Sequence, residues 1–115
     1  MKKLLLLLLF VSGLISAIQA QMNFKTRWQD KTRSAMVYLP KNFSTSEQLP
    51  LVINMHGFLT NAQFQFDYTQ FHKTADSVRC IVLYPEGVDL RWNSGTFCFV
   101  SSNVDDVGFL GDWMD

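Results

Sequence analysis

An excess of charge of either sign is missing from this sequence: ten lysines and arginines stand against ten aspartates and glutamates among 115 residues. After Lys3 the basic residues are scattered, whereas a protein that neutralises phosphates needs a basic stripe. We therefore expect no nucleic-acid partner. A disordered chain is also excluded, because 48% of the residues are hydrophobic and only 17% are charged.

Motifs for cofactors and metals are missing as well. The sequence contains no set of His, Cys, Asp and Glu at metal-ligand spacing, no phosphate-binding loop and no dinucleotide fingerprint. We expect no metal and no cofactor.

The sequence has one long apolar run, and it is too short to span a membrane. Residues 4–18 follow two lysines at the N-terminus, and the run falls short of the ~20 residues that a membrane helix needs. A basic start, an apolar run and small residues after it are typical of a secretory signal. We expect residues 1–20 to be a signal peptide, cleaved after Ala20 or alternatively after Ala17, although a short N-terminal anchor would have a similar pattern. Residues 21–115 are then secreted or periplasmic, without a stable membrane anchor.

Cysteine is scarce, and its two positions leave two interpretations open. Cys80 and Cys98 are the only cysteines, and their spacing fits no metal or redox motif. In an exported protein, the pair forms either one disulfide or two buried thiols.

Four segments have the pattern of β-strands. Period-two alternation predicts strands over 24–28 and 33–39, and short apolar runs predict buried strands over 51–55 and 81–84. Between the last two, spacings of four and three predict one amphipathic helix with a buried face made of Phe64, Tyr68, Phe71, Ala75 and Val78. Strand, helix and strand in that order predict a parallel crossover unit.

A last helix is predicted after a long connection over 88–103. Ser102 or Asn103 can cap this helix, and Asp105 and Asp106 fall in its first turn. We expect its inner face to consist of Val107, Leu110, Gly111 and Met114. Long connections inside a compact domain are usually functional, and the aromatic residues of this one either line a pocket or fill the core: Trp92, Phe97 and Phe99.

Five ordered strings carry a family resemblance: LPLVINMHGF, HKTADS, CIVLYPEG, RWNSG and VDDVGFL. Together they resemble the N-terminal part of secreted α/β-hydrolase esterases of the poly(3-hydroxybutyrate) depolymerase and feruloyl esterase family. The match extends from about Arg33 to Met114. It implies the α/β class and an incomplete α/β-hydrolase fold, with the first four strands of a mostly parallel sheet and crossover helices, truncated before the nucleophile elbow. Residues 21–115 are then the N-terminal portion of one such domain.

The resemblance also implies site residues. The family's His-Gly turn matches His56 and Gly57, so the oxyanion-hole amide is that of Phe58. Its Trp-Asn pair at the mouth of the substrate cleft matches Trp92 and Asn93. After the His-Gly pair this chain continues with FLT, where some members of the family have further glycines.

The nucleophile motif of these enzymes is absent, because no G-x-S-x-G occurs in the sequence. The resemblance places the triad Ser, Asp and His beyond Asp115, so we expect no catalytic residue in this chain and no triad-based activity from it alone. His72 lies off the predicted apolar face and is expected to be a solvated histidine. Asp105 and Asp106 are consecutive on a helix and do not face each other, which favours ordinary first-turn carboxylates over an acid–base pair.

The function implied is that of the N-terminal part of a secreted serine carboxylic-ester hydrolase, which acts through an acyl-enzyme. The substrate class is a polyester or plant cell-wall ester, including polymeric ones. Two alternatives stay open: a non-catalytic exported module that binds polysaccharide or polyester, and a peptidase of the same fold. The sequence leaves the particular ester and the oligomeric state open.

Overall fold

The computed structural model describes residues 21–95 and 103–115, and a four-stranded sheet lies at their centre. The strands are β1 (Gln21–Trp28), β2 (Lys31–Tyr38), β3 (Leu51–Ile53) and β4 (Ile81–Pro85). Their order in the sheet is β1-β2-β4-β3. Strand β2 pairs antiparallel with both β1 and β4, whereas β3 pairs parallel with β4. All four segments predicted as strands are therefore strands.

The expectation of an incomplete α/β-hydrolase fold with a mostly parallel sheet is wrong. The described residues form a small mixed sheet of four strands with three helices, and the sheet is mostly antiparallel. A tight turn at Gln29 and Asp30 folds β2 back onto β1, and such turns can join only antiparallel strands. The parallel pair arises where a helical connection separates β3 from β4, and there the predicted crossover unit is confirmed.

Two helices occupy the crossover, where the sequence predicts one. Helix α1 (Ala62–Thr69) ends at Gln70, whose backbone is left-handed at φ 48°, and α2 (Phe71–Val78) begins directly after it. The break turns part of the predicted apolar face to solvent, so that Phe64 is 50% and Tyr68 75% exposed. The prediction of one continuous amphipathic helix is therefore wrong.

Helix α3 (Asp106–Met114) is present, but its N-cap is Asp105, whose carboxylate accepts from the Gly108 amide at 2.8 Å, so the predicted cap was wrong. The helix also faces the sheet with residues other than those predicted. Its buried side chains are Asp106, Phe109 and Trp113, whereas Val107 is 81% exposed. Met114 of the predicted inner face is exposed as well. Leu110 of the predicted face does pack against the core, so the prediction is wrong for Val107 and Met114. The inward side of the helix is the one that carries Phe109, Trp113 and the partner of Arg33, Asp106.

Apolar side chains cover both faces of the sheet. On one face α3 packs through Phe109 and Trp113 against Val37 and Leu83. On the other face Ala75 of α2 belongs to the cluster around the inner residues of β2 and β4, which include Met36, Tyr38, Val82 and Tyr84. The central strands are thus covered twice, and this burial is the main stabilisation that the fold has.

His72 lies against an aromatic ring. It is half-buried and stacks on Phe66 with ring centroids 4.5 Å apart, so the expectation of a solvated histidine is wrong.

The predicted signal peptide lies outside the described residues. Within 21–95 and 103–115, no helix has the length and apolar character needed to cross a membrane.

A carboxylate joins α2 to the end of β2. Oδ1 of Asp76 accepts hydrogen bonds from the Tyr38 hydroxyl at 2.8 Å and from the Lys41 amide at 2.9 Å. Burial acts to raise the pKa of Asp76, but the hydrogen bonds from Lys41 and Tyr38 outweigh it and hold this pKa below its ordinary value. The ionised carboxylate therefore stabilises the folded state.

This pKa shift predicts how stability depends on pH. A carboxyl whose pKa is lower in the folded than in the unfolded state stabilises the fold above its ordinary pKa of 3.8, and loses that contribution as the pH falls through the folded value. We expect the free energy of unfolding in urea to fall more steeply toward acid pH in the wild type than in Asp76→Asn. Parallel pH profiles of the two proteins would contradict this prediction.

Candidate functional site

The candidate site is the turn over residues 56–60, which follows β3 at its carboxyl end. The parallel pairing continues one residue beyond β3, where the Asn54 amide donates to the Leu83 carbonyl at 2.8 Å. The chain then leaves the sheet with His56 only 3% exposed and Phe58 55% exposed. The 56–60 turn is thus anchored by a buried histidine and presents the residue after Gly57 to solvent.

Both ring nitrogens of His56 are used inside the protein. The Gly87 amide donates to Nε2 at 3.0 Å, so this nitrogen carries no proton. The proton of the neutral ring is therefore on Nδ1, which donates to the Gly57 carbonyl at 2.8 Å. The side chain of Glu86 lies nearby, with Oε2 at 3.6 Å from Nε2. This geometry makes His56 a residue that holds the turn, not a general base.

Three donors fix the Gly57 carbonyl. Besides His56 Nδ1, the Thr60 hydroxyl donates to it at 2.8 Å and the Thr60 amide at 3.3 Å. In a trans peptide the C=O and the N–H of the following residue point in opposite directions, so the Phe58 N–H points away from this cluster. Among the hydrogen bonds of the described residues, none uses the Phe58 amide. The Phe58 N–H is therefore a backbone donor whose orientation is fixed by the Gly57 carbonyl.

Residues 88–95 close over the turn from the other side. The Trp92 indole donates to the His56 carbonyl at 2.9 Å, and its ring lies against the imidazole with centroids 5.1 Å apart. The Leu59 amide donates to the Leu90 carbonyl at 2.8 Å, and both leucines have a left-handed backbone at φ 60°. Strained backbone of this kind persists only where its surroundings hold it. The 56–60 turn and this segment therefore support each other.

Asn93 ties the same segment to α3. Its amide donates to Oδ2 of Asp106 at 2.6 Å, and its side-chain nitrogen donates to the Val104 carbonyl at 2.9 Å. Asn93 thus holds Trp92 in place and lies one residue away from the contact with the 56–60 turn. The predicted roles of Trp92 and Asn93 in a substrate cleft stay predictions.

A buried ion pair supports the site, and the sequence analysis did not predict it. Arg33 Nη2 lies 2.7 Å from Oδ1 of Asp106, with the two side chains only 3% and 6% exposed. The same nitrogen donates to the Glu86 carbonyl at 3.1 Å, and the guanidinium carbon lies 3.9 Å from the centre of the Phe109 ring. The alternation of β2 could have predicted this ion pair. Arg33 is in phase with Ala35 and Val37 on the inward side of the strand, where a charge needs a buried partner.

Gly87 lies too close to the backbone of Arg91 to carry a side chain. A Cβ at this position would overlap the carbonyl of Arg91, whose amide closes the turn by donating to Val88. Any larger residue would push the Gly87 amide away from His56. This glycine is a second site residue that sequence reasoning missed.

Cys80 lies apart from the turn, in the core cluster beneath α2. Burial raises the pKa of its thiol, so the thiol stays protonated and unreactive at neutral pH. Cys98, Phe97 and Phe99 lie outside the described residues, and the disulfide between Cys80 and Cys98 stays a prediction. Among the residues that the structure describes, no group of three His, Cys, Asp or Glu side chains could hold a metal ion.

Two clefts open on either side of Glu86, with volumes of about 570 and about 380 Å³. The larger is lined by residues that include Phe24, Met36 and Ala62, and the smaller by residues that include Arg33 and Gly87. Neither of these two clefts is lined by the 56–60 turn.

No protein-family model and no curated protein matches this chain. The resemblance to secreted esterases therefore stays a prediction from the sequence strings.

Proposed function

We propose that this chain supplies the oxyanion-binding turn of a secreted serine carboxylic-ester hydrolase. The observation that carries the proposal is the orientation of the Phe58 N–H, which points away from the Gly57 carbonyl and from the three donors that hold this carbonyl. A fixed backbone donor needs no reorganisation when negative charge develops beside it, and this is the property that stabilises the oxyanion in acyl transfer.

The proposed reaction uses a serine nucleophile outside the 115 residues, because the sequence contains no G-x-S-x-G. The serine oxygen attacks the ester carbonyl carbon while a histidine takes the serine proton, and the carbonyl oxygen becomes an oxyanion held by the Phe58 N–H. Collapse of this intermediate breaks the ester C–O bond, and the histidine returns the proton to the leaving alcohol. Water then releases the acid by the same steps. The substrates are carboxylic esters of the polyester or plant cell-wall type, including polymeric ones.

The proposal is tested by comparing the 115-residue chain with the product of the whole reading frame that encodes it. Both are treated with a fluorophosphonate probe and assayed with p-nitrophenyl butyrate. We expect the longer product to hydrolyse the ester and to be labelled on a serine in a G-x-S-x-G motif beyond Asp115, and the 115-residue chain to do neither.

Two results would overturn the proposal. Hydrolysis or labelling by the 115-residue chain would place a nucleophile within these 115 residues. A reading frame without a G-x-S-x-G motif, together with binding of polyester or polysaccharide without hydrolysis, would favour the non-catalytic binding module instead.

A further inference from the structure

We infer that Arg33 polarises the Phe58 amide through a continuous chain of hydrogen bonds that passes along the Glu86–Gly87 peptide and the His56 ring. The inference deepens the proposed function, on which its catalytic consequence rests. The hydrogen-bond chain itself is a property of the described residues and can be tested without any catalysis.

The series consists of three hydrogen bonds, and each donor lies within hydrogen-bond distance of its acceptor. Arg33 Nη2 donates to the Glu86 carbonyl at 3.1 Å. The amide of the same peptide unit, at Gly87, donates to His56 Nε2 at 3.0 Å. His56 Nδ1 then donates to the Gly57 carbonyl at 2.8 Å, and the amide of that peptide unit is the N–H of Phe58.

All three links point in the same direction. A donor that binds a peptide carbonyl draws electron density toward the oxygen, and this makes the N–H of the same peptide a stronger donor. A donor to Nε2 acts on the Nδ1–H of an imidazole in the same way. Hydrogen bonds in such a series strengthen one another, by about 10–30% per bond in condensed phases. The Phe58 N–H at the end of the series is therefore a stronger donor than an isolated amide.

The series of hydrogen bonds begins at the charged guanidinium of Arg33, which lies in a low-dielectric environment. Arg33 is 3% exposed and packs over the Phe109 ring, so water screens its charge poorly. Asp106 offsets part of this charge, and it binds the same nitrogen, Nη2, that donates to the Glu86 carbonyl. Nη2 carries two hydrogens, so it can donate to both oxygens. The Glu86 carboxylate is another charged group beside these hydrogen bonds: its Oε1 accepts from the Ala62 amide at 3.0 Å, and its Oε2 lies 3.6 Å from His56 Nε2.

The inference assigns two residues as positioning residues for the oxyanion donor. Arg33 supplies the charge, and His56 transmits it only as the neutral tautomer with its proton on Nδ1. The same side chain in the other tautomer would turn two N–H groups toward each other at Gly87 and break the series.

The first test is nuclear magnetic resonance of the ¹⁵N-labelled 115-residue chain at neutral pH. We expect the ring of His56 to be protonated on Nδ1 and unprotonated on Nε2. In the double variant Arg33→Met/Asp106→Asn, which removes both charges of the buried pair, we expect the Nδ1 proton and the Gly87 and Phe58 amide protons to move upfield together. A proton on Nε2 in the wild type, or amide shifts that do not change in the variant, would overturn the inference.

The second test uses the active product of the whole reading frame. In His56→Asn the side-chain amide still offers a donor for the Gly57 carbonyl, but it is too short to accept from the Gly87 amide. The variant therefore interrupts the series of hydrogen bonds and keeps the hydrogen bond that supports the turn. We expect kcat for p-nitrophenyl butyrate to fall about tenfold in this variant and in the double variant, which is less than the loss of a whole oxyanion-hole donor. KM should change less than twofold, because the donor acts on the charge that develops after binding.

The outcomes separate the inference from the proposed function. An unlabelled, inactive full-length product with the expected His56 tautomer and proton shifts would end the esterase proposal and leave the hydrogen-bond chain standing. An active product whose kcat is unchanged in both variants would overturn the inference and leave the esterase proposal standing. Loss of activity through a raised KM alone would show a structural role and would also overturn it.

Discussion

Replacing Phe58 by proline is expected to lower kcat by about 10²–10³-fold in the product of the whole reading frame, because proline removes the backbone N–H that would hold the oxyanion. The side chain itself is not needed for the fold, since it is 55% exposed and its loss leaves no buried cavity. KM for p-nitrophenyl butyrate should change little, because the removed interaction is made mainly in the transition state.

Phe58→Ala is the matched control for this substitution. It removes the same side chain but keeps the amide, so its kcat should stay within a few-fold of the wild type. The thermal midpoints of both variants show whether the turn is intact. Equal loss of activity in the alanine and proline variants would assign the effect to the side chain and would contradict the role of the amide.

Replacing Arg33 by methionine is expected to lower the free energy of unfolding by about 3–5 kcal/mol, because it leaves the Asp106 carboxylate buried without its partner. The loss extends over three elements, since Arg33 lies in β2, Asp106 in α3, and the Glu86 carbonyl that Arg33 also binds follows β4. Urea unfolding followed by tryptophan fluorescence measures this difference.

A double variant separates the ion pair from packing. In Arg33→Met/Asp106→Leu no charge is left uncompensated, and buried ion pairs replaced by apolar residues often lose little stability. We expect this variant to recover most of the stability lost in Arg33→Met. If it is no more stable than the single variant, the loss arises from packing against Phe109 and from the Glu86 carbonyl.

The strands and the crossover could be predicted because their signals are local. The alternation along β1 and the apolar runs at β3 and β4 follow from which side chains each strand buries. The mostly parallel arrangement of the strands was predicted wrongly, because no local pattern indicates that β2 lies between β1 and β4 and runs antiparallel to both. That arrangement depends on where the long connection after β2 carries the chain.

The helices show where local patterns fail. Spacing alone joined α1 and α2 into one helix, and only the left-handed backbone at Gln70 separates them. In α3 the hydrophobic spacing suggested that Val107 faces inward, but the inward side is the one that carries Asp106, the partner of Arg33, and Val107 is left in water. Two large aromatic side chains, Phe109 and Trp113, are buried on the same side of the helix as this charge pair.

By itself the sequence determined the strands, the crossover unit and the location of a His-Gly turn at the carboxyl end of β3, because each depends on neighbours along the chain. Only the tertiary structure decided that His56 has a defined tautomer and that Gly87 and Trp92, more than 30 positions along the chain, donate hydrogen bonds to it. It also decided that Arg33 donates to the Glu86 carbonyl next to Gly87. These contacts join segments that are remote in the chain, and their geometry exists only once β2, β4 and α3 have packed together.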